Sequence, residues 1–248
     1  MKYVLIVVLA VSNGVYLSNG IKLPSYIKPC KPNQSNFSEC AVAEANKILP
    51  MLIRGYLPFN IPPLNPYYTP KVRSLPSSDS NLNVILENVF IYGLDEIEVL
   101  SVEFNFTEHV IDLKVNIPKL IMQCHYEVEG YVLILPLNGK GPGNITAVNG
   151  TYNGRLLYSL YTENGDEYAK MDNATIKFEL ERLYAHLEDI VHDDKEFSED
   201  TNLLINSQWR YVVQEFSPLI KETIGNLVLE VFNGIFKKVP FVEIFGGV

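Results

Sequence analysis

"NSQWRYVVQEFSPLIKETIGNLVLEVFNGIFKKV", residues Asn206–Val239, decides the fold. Its apolar residues run from Trp209, Val212 and Phe216 through Ile220 and Ile224 to Val228, Phe232 and Phe236 at spacings of three and four. That is the rhythm of one helix face. It persists for about eight turns at 3.6 residues each, interrupted only by Pro218 and Gly225. Helices in globular domains average three to four turns. So long an apolar stripe has to be covered along its length, and only a sheet offers a partner of matching size.

The sheet lies upstream, from about Asn83 to Ile190, where the period becomes two. In "VEFNF", Val102, Phe104 and Phe106 share one side and Glu103 and Asn105 the other. "IDLKVNI" sets Ile111, Leu113, Val115 and Ile117 against Asp112, Lys114 and Asn116. "MQCHYEV" sets Met122, Cys124, Tyr126 and Val128 against Gln123, His125 and Glu127. Half-buried antiparallel strands alternate in this way, and Asn164-Gly165 between Tyr161 and Tyr168 is a hairpin signal. Long strands without intervening helices predict one large curved meander. Ahead of it, Ala41, Ala45, Ile48, Leu49, Leu52 and Ile53 predict an amphipathic helix, capped at Ser38 or Glu39 and kinked at Pro50. Pro58, Pro62, Pro63, Pro66 and Pro70 exclude helix and central strand, so that segment reads as an extended connector. The fold class is α+β, with the long C-terminal helix against an antiparallel sheet.

The chain opens with Lys2, then the short apolar run Tyr3–Val11, then small residues. A secretory signal peptide over residues 1–20 has this form, cleaved before Ile21 or after Gly14. Residues 21–248 then form a single domain. In an oxidising compartment Cys30 and Cys40 can close a small loop as a disulfide, while Cys124 is left as a buried thiol or a half-cystine for another chain. N-glycosylation sequons begin at Asn33, Asn36, Asn105, Asn144, Asn149 and Asn173.

The formal net charge is −9, and an acidic chain is poorly suited to nucleic acid or an anionic membrane surface. No further apolar run approaches membrane-spanning length, so no stable membrane insertion is expected. Enzymatic signatures are missing: there is no G-x-S-x-G, no H-E-x-x-H and no paired-cysteine zinc pattern. "HLEDIVHDD" gathers His186, Asp189, His192, Asp193 and Asp194, but the spacing of its histidines suits a solvated loop or strand end better than a metal site. "GKGPG" (Gly139, Gly141, Gly143) imitates a phosphate loop, yet Pro142 and the lack of a following Lys-Ser/Thr point to a turn. No metal, cofactor or catalytic residue is expected, and the domain reads as a secreted monomer.

The order of segments carries a resemblance. "LPSYIKPC" and a second cysteine precede the amphipathic helix; "IPPLNPYYTPKV", "IPKLIMQCHYEVEGYVLILPLNGKGPGNIT" and a terminal "IFKKVPFVEIF" follow. Over essentially the whole mature chain this resembles the takeout and juvenile-hormone-binding protein family of insects. The resemblance implies a long helix wrapped by a strongly curved antiparallel sheet, enclosing a hydrophobic tunnel similar to the tubular lipid-binding modules. It also implies that Cys30–Cys40 is the family's N-terminal disulfide, stapling a glycosylated end cap. Haemolymph juvenile-hormone binders of moths carry a second disulfide in the body of the domain. Only Cys124 remains here, in a segment where the family often has glycine, so the chain looks closer to the takeout branch.

The implied function is carriage of a small lipophilic ligand: juvenile hormone, another terpenoid or a fatty-acid-like molecule. Burial of on the order of 400 Å² of such a ligand is worth roughly 10 kcal/mol gross. Inward positions then give the tunnel lining as Phe104, Phe106, Leu113, Met122, Cys124 and Tyr126, with Leu133 and Phe178 from later strands. Phe216, Ile220, Val228 and Phe232 line it from the long helix, and Tyr126, Tyr131 or Tyr158 could orient the ligand through a hydroxyl. The rival is a non-enzymatic extracellular interaction protein whose core is filled by Phe104, Phe106, Phe178 and Phe232.

Overall fold

The computed structural model describes residues 21–74, 82–132, 135–192 and 194–246. In chain order these form α1 (Phe37–Ile53), β1 (Tyr67–Arg73), β2 (Asn83–Tyr92), β3 (Glu98–Asn105), β4 (Val110–Val132), β5 (Leu135–Glu163), β6 (Asp166–Leu187), α2 (Lys195–Ser207), α3 (Trp209–Phe236) and α4 (Phe241–Phe245). The expected signal peptide lies outside the described residues, as do Leu133 and Asp193.

The alternating runs become one open antiparallel sheet in the order β1-β2-β4-β5-β6. β2 pairs with Ile121–Glu129 of β4, and β3 takes up the same edge of β4 at Val110–Asn116. β4, β5 and β6 are 23, 29 and 22 residues long, several times the usual strand. Asn164 (φ 52°) and Gly165 (φ 90°) both sit in the left-handed region, as the tight hairpin between β5 and β6 requires.

Such long strands are not uniform. The inward residues of β4 are odd-numbered up to Ile117 and even-numbered from Leu120 onward. β5 changes between Ala147 and Gly150, and β6 between Leu180 and Leu183, at the same level of the sheet. Pro118, Asn149 and Glu181 lie unpaired in a row across the three strands there. Asn149 adopts φ 47°, a conformation asparagine tolerates better than most residues. Its carboxamide accepts from Asn116 Nδ2 of β4 (3.1 Å) and donates to Glu181 Oε2 of β6 (3.0 Å), linking the three strands beside this row. The pairing register is unbroken across this row, so the three strands reverse their inward faces together. This fold line divides the interior into two halves along α3.

α3 runs unbroken through Pro218 and Gly225. A Cβ at Gly225 would lie 3.4 Å from the Ala174 carbonyl oxygen, so glycine lets the helix approach the β6 backbone closely. The helices are docked by asparagines. Asn206 accepts from the Ala185 amide (2.8 Å) and donates to the Ala185 carbonyl (2.7 Å); Asn202 does the same with Leu187 (2.9 and 2.8 Å). Asn233 of α3 grips Met171 (2.9 and 3.1 Å), and Asn46 of α1 grips Val99 of β3 (3.0 Å each way). Each carboxamide acts as a one-residue strand, satisfying edge groups that would otherwise be unpaired.

Several expectations are corrected. The helical stretch around Asn206 is two helices: α2 ends at Ser207 and α3 begins at Trp209, with Gln208 between. The proline-rich connector contains β1, an edge strand in which Pro70 needs no donor. α1 begins at Phe37 with Asn36, not Ser38 or Glu39, at its cap position, and Pro50 lies within it. "GKGPG" lies within β5 and not at a turn. Cys30 and Cys40 form the disulfide (Cα–Cα 5.9 Å), and Cys124 is a buried free thiol.

Candidate ligand cavity

On one side of the fold line the interior is filled, among the described residues, by an aromatic cluster. Phe104 and Phe106 stack at 5.5 Å, Phe37 meets Phe104 edge-on at 5.6 Å, and Phe245 lies 5.1 Å from Phe104 and 4.6 Å from Phe241. Phe232 stacks on Phe236 at 6.0 Å. These rings come from α1, β3, α3 and α4, with Phe106 just past β3, and Leu113 and Val228 pack among them.

On the other side lies a cavity of about 240 Å³. Val72, Val84 and Leu86 form its wall on β1 and β2, and Leu120, Met122 and Val128 its wall on β4. β5 and β6 contribute Leu137, Ile145, Ala147, Leu183 and Ala185. Ile205 of α2 and Val212, Phe216, Ile220 and Ile224 of α3 complete it. Tyr152 and Phe178, stacked at 6.1 Å, stand at the end nearest the fold line.

Among the described residues no lining residue is charged, and the only side-chain oxygens belong to Tyr126, Tyr152 and Thr223. Tyr126 donates to the Glu188 carbonyl at 2.5 Å and Thr223 to the Leu219 carbonyl at 2.8 Å. Burial pushes the Tyr152 hydroxyl up to about 12 and also raises that of Tyr126, so both stay neutral. The Tyr126 bond anchors a strap that crosses the inner face of β5. Cβ atoms at Gly139 and Gly141 would lie 2.4 Å and 2.7 Å from the carbonyl oxygens of Asp189 and Glu188. The glycines of "GKGPG" thus seat this strap.

Of the positions expected to line a tunnel, Met122, Tyr126, Phe178, Phe216 and Ile220 meet in the cavity. Phe104, Phe106, Leu113, Val228 and Phe232 lie in the filled half. Cys124 faces inward beside the cavity, where its sulfur, Leu187 and Tyr126 converge over Gly143. Tyr131 is 58% exposed, and the buried Tyr158 hydroxyl, without a hydrogen-bond partner among the described residues, lies in the filled half. The lining from Val72 was missed because the connector hid β1, that from Val84 and Leu86 because no alternating run was singled out in β2, and Ile205 was missed with α2. All six sequon asparagines are exposed. Among the described residues no group of three or more His, Cys, Asp or Glu could hold a metal ion, and no helix is long and apolar enough to cross a membrane.

The profile of the haemolymph juvenile hormone binding protein family matches residues 4–246. The circadian clock-controlled protein daywake of Drosophila yakuba is 23% identical over 245 residues, spanning 95% of this chain and 92% of that protein. Daywake of Drosophila melanogaster is 21% identical over 232 residues, spanning 90% and 88%. The crystal structure of Epiphyas postvittana Takeout 1 superposes with a TM-score of 0.78 at 19% identity, over 88% of this chain and 99% of that one, a likeness of fold.

Proposed function

The chain belongs to the haemolymph juvenile hormone binding protein family, and on that premise we propose that it is an extracellular carrier holding a small lipophilic molecule in the cavity between α3 and the sheet. The cavity itself carries the reading. Its walls offer hydrocarbon and almost no polar group, so an apolar occupant gains roughly 25 cal/mol for each Å² it removes from water, whereas water would find few partners there.

In this reading residues 1–20 direct export and are removed, and the exposed sequon asparagines, Asn33, Asn36, Asn105, Asn144, Asn149 and Asn173, accept N-glycans. The carrier works as a monomer without cofactor or chemical turnover. Its cargo is juvenile hormone, another terpenoid or a fatty-acid-like molecule, held chiefly by burial of hydrocarbon.

Native mass spectrometry of the gently purified secreted protein, followed by organic extraction, tests this. A discrete lipophilic mass bound one-to-one is the expected result. A protein that arrives empty and takes up neither terpenoids nor fatty acids refutes it, and leaves the rival in which the domain is an interaction scaffold.

A further inference from the structure

The cavity stops near the fold line. Tyr152 and Phe178 stand side by side there as the last lining rings, and Phe232 stacked on Phe236 belongs to the filled half beyond. The cavity wall on α3 runs from Val212 to Ile224, a span of about 18 Å at 1.5 Å per residue. A volume of about 240 Å³ spread over that length is one hydrocarbon chain wide. A 150 Å³ cavity takes benzene, so the volume suits about ten carbons. An extended chain with C–C bonds of about 1.5 Å fills the 18 Å span with about fourteen.

Resting on the carrier reading, we propose that Phe178 and Tyr152 form an end wall that sets a ceiling on ligand length, selecting single-chain ligands of about ten to fourteen carbons. The ligand's hydrocarbon end abuts the two rings. Phe178 acts as the stop because its ring, stacked on Tyr152, stands just past the row where the inward faces of β4, β5 and β6 reverse. Longer chains would have to displace rings already packed against one another.

The test is a competition series of saturated methyl esters from eight to twenty carbons, added to the full secreted protein and read by native mass spectrometry. Affinity should rise to ten to fourteen carbons and fall at least tenfold by eighteen. A monotonic rise through eighteen and twenty carbons overturns the ceiling. Phe178→Ala should move the optimum to longer esters, and Phe178→Leu, which keeps an apolar wall, should move it less. A folded variant with an unchanged length profile overturns the assignment of the stop. Ala147→Leu, which narrows the cavity without touching the wall, should weaken all lengths and leave the optimum in place; a shifted optimum would overturn the end-wall account. Failure of every ester to bind the unaltered protein overturns the carrier reading itself, a result distinct from binding without a length limit.

Discussion

Replacing Asn206 by alanine tests whether the asparagine clamps hold the helices over the sheet. Its carboxamide accepts from the Ala185 amide, donates to the Ala185 carbonyl and donates to the Asn202 carbonyl at 2.8 Å. An intramolecular hydrogen bond contributes about 1 kcal/mol net, and a buried group left unpaired costs about 1–3 kcal/mol. The site is half-buried, so water relieves part of that penalty. The expected loss is therefore about 2–4 kcal/mol, read as a lower urea midpoint with an unchanged slope.

Asn206→Asp sharpens the test. It keeps an acceptor for the Ala185 amide, but a carboxylate would face the carbonyl oxygens of Ala185 and Asn202. That repulsion raises the introduced carboxyl's pKa above its unfolded value of about 3.9. Such a variant binds its proton more tightly when folded, so its stability is highest in acid and is lost as pH rises through the folded pKa. The protonated acid can also donate where the amide did. Ile205, the neighbouring residue, lines the cavity, so a loosened α2 should weaken ligand retention as well. A loss below about 0.5 kcal/mol for Asn206→Ala, or an aspartate variant that grows more stable toward neutral pH, would refute the clamp.

Three further outcomes are expected. Cys30→Ser should cost about 2.5–3 kcal/mol, the loop entropy for a separation of ten residues, and reduction of the unaltered protein should match it in urea; a negligible loss means the end cap stays docked without its staple. Gly139→Ala places a Cβ against the Asp189 and Ile190 carbonyls, whereas at Gly154 it would meet side chains at 3.5 Å; the first should destabilise by about 1–3 kcal/mol and the second be tolerated, and equal effects would dismiss the strap. Burial pushes the Cys124 thiol from 9.0 to about 11, so the unfolded chain releases that proton first and stability should fall as pH climbs from about 9 to about 11; a thiol reagent at pH 8 should label Cys124 only after unfolding, and rapid labelling of native protein would contradict its burial.

Periodicity made the sheet legible because a strand exposes its register in every second residue. Even the fold line is written there: the inward residues of "IDLKVNI" are odd and those of "MQCHYEV" even. Two kinds of information were not local. Asn46, Asn202, Asn206 and Asn233 look like ordinary polar residues on helices, and their use depends on which strand edge each helix meets. Likewise, Phe104 and Phe106 were placed on the correct face, but alternation reports direction and not density. Whether an inward ring borders a void or another ring depends on Phe37 and Phe245, which lie far away in the chain.

Side-chain size, not polarity, then separates the two halves. Both are apolar, but the filled half gathers rings from separate parts of the chain, whereas the sheet wall of the cavity is mostly Val, Leu, Ile and Ala. A soft interior would collapse into such a void, since side chains relax toward close packing. Here collapse would require α2 and α3 to move onto the sheet, and Asn202, Asn206 and Asn233 fix their distance from β6 through paired hydrogen bonds. The Cys30–Cys40 staple ties down the chain leading into α1, whose Phe37 joins the aromatic plug. The plug and the clamps thus hold the helices apart from the sheet, and the space kept between them is what a ligand would fill.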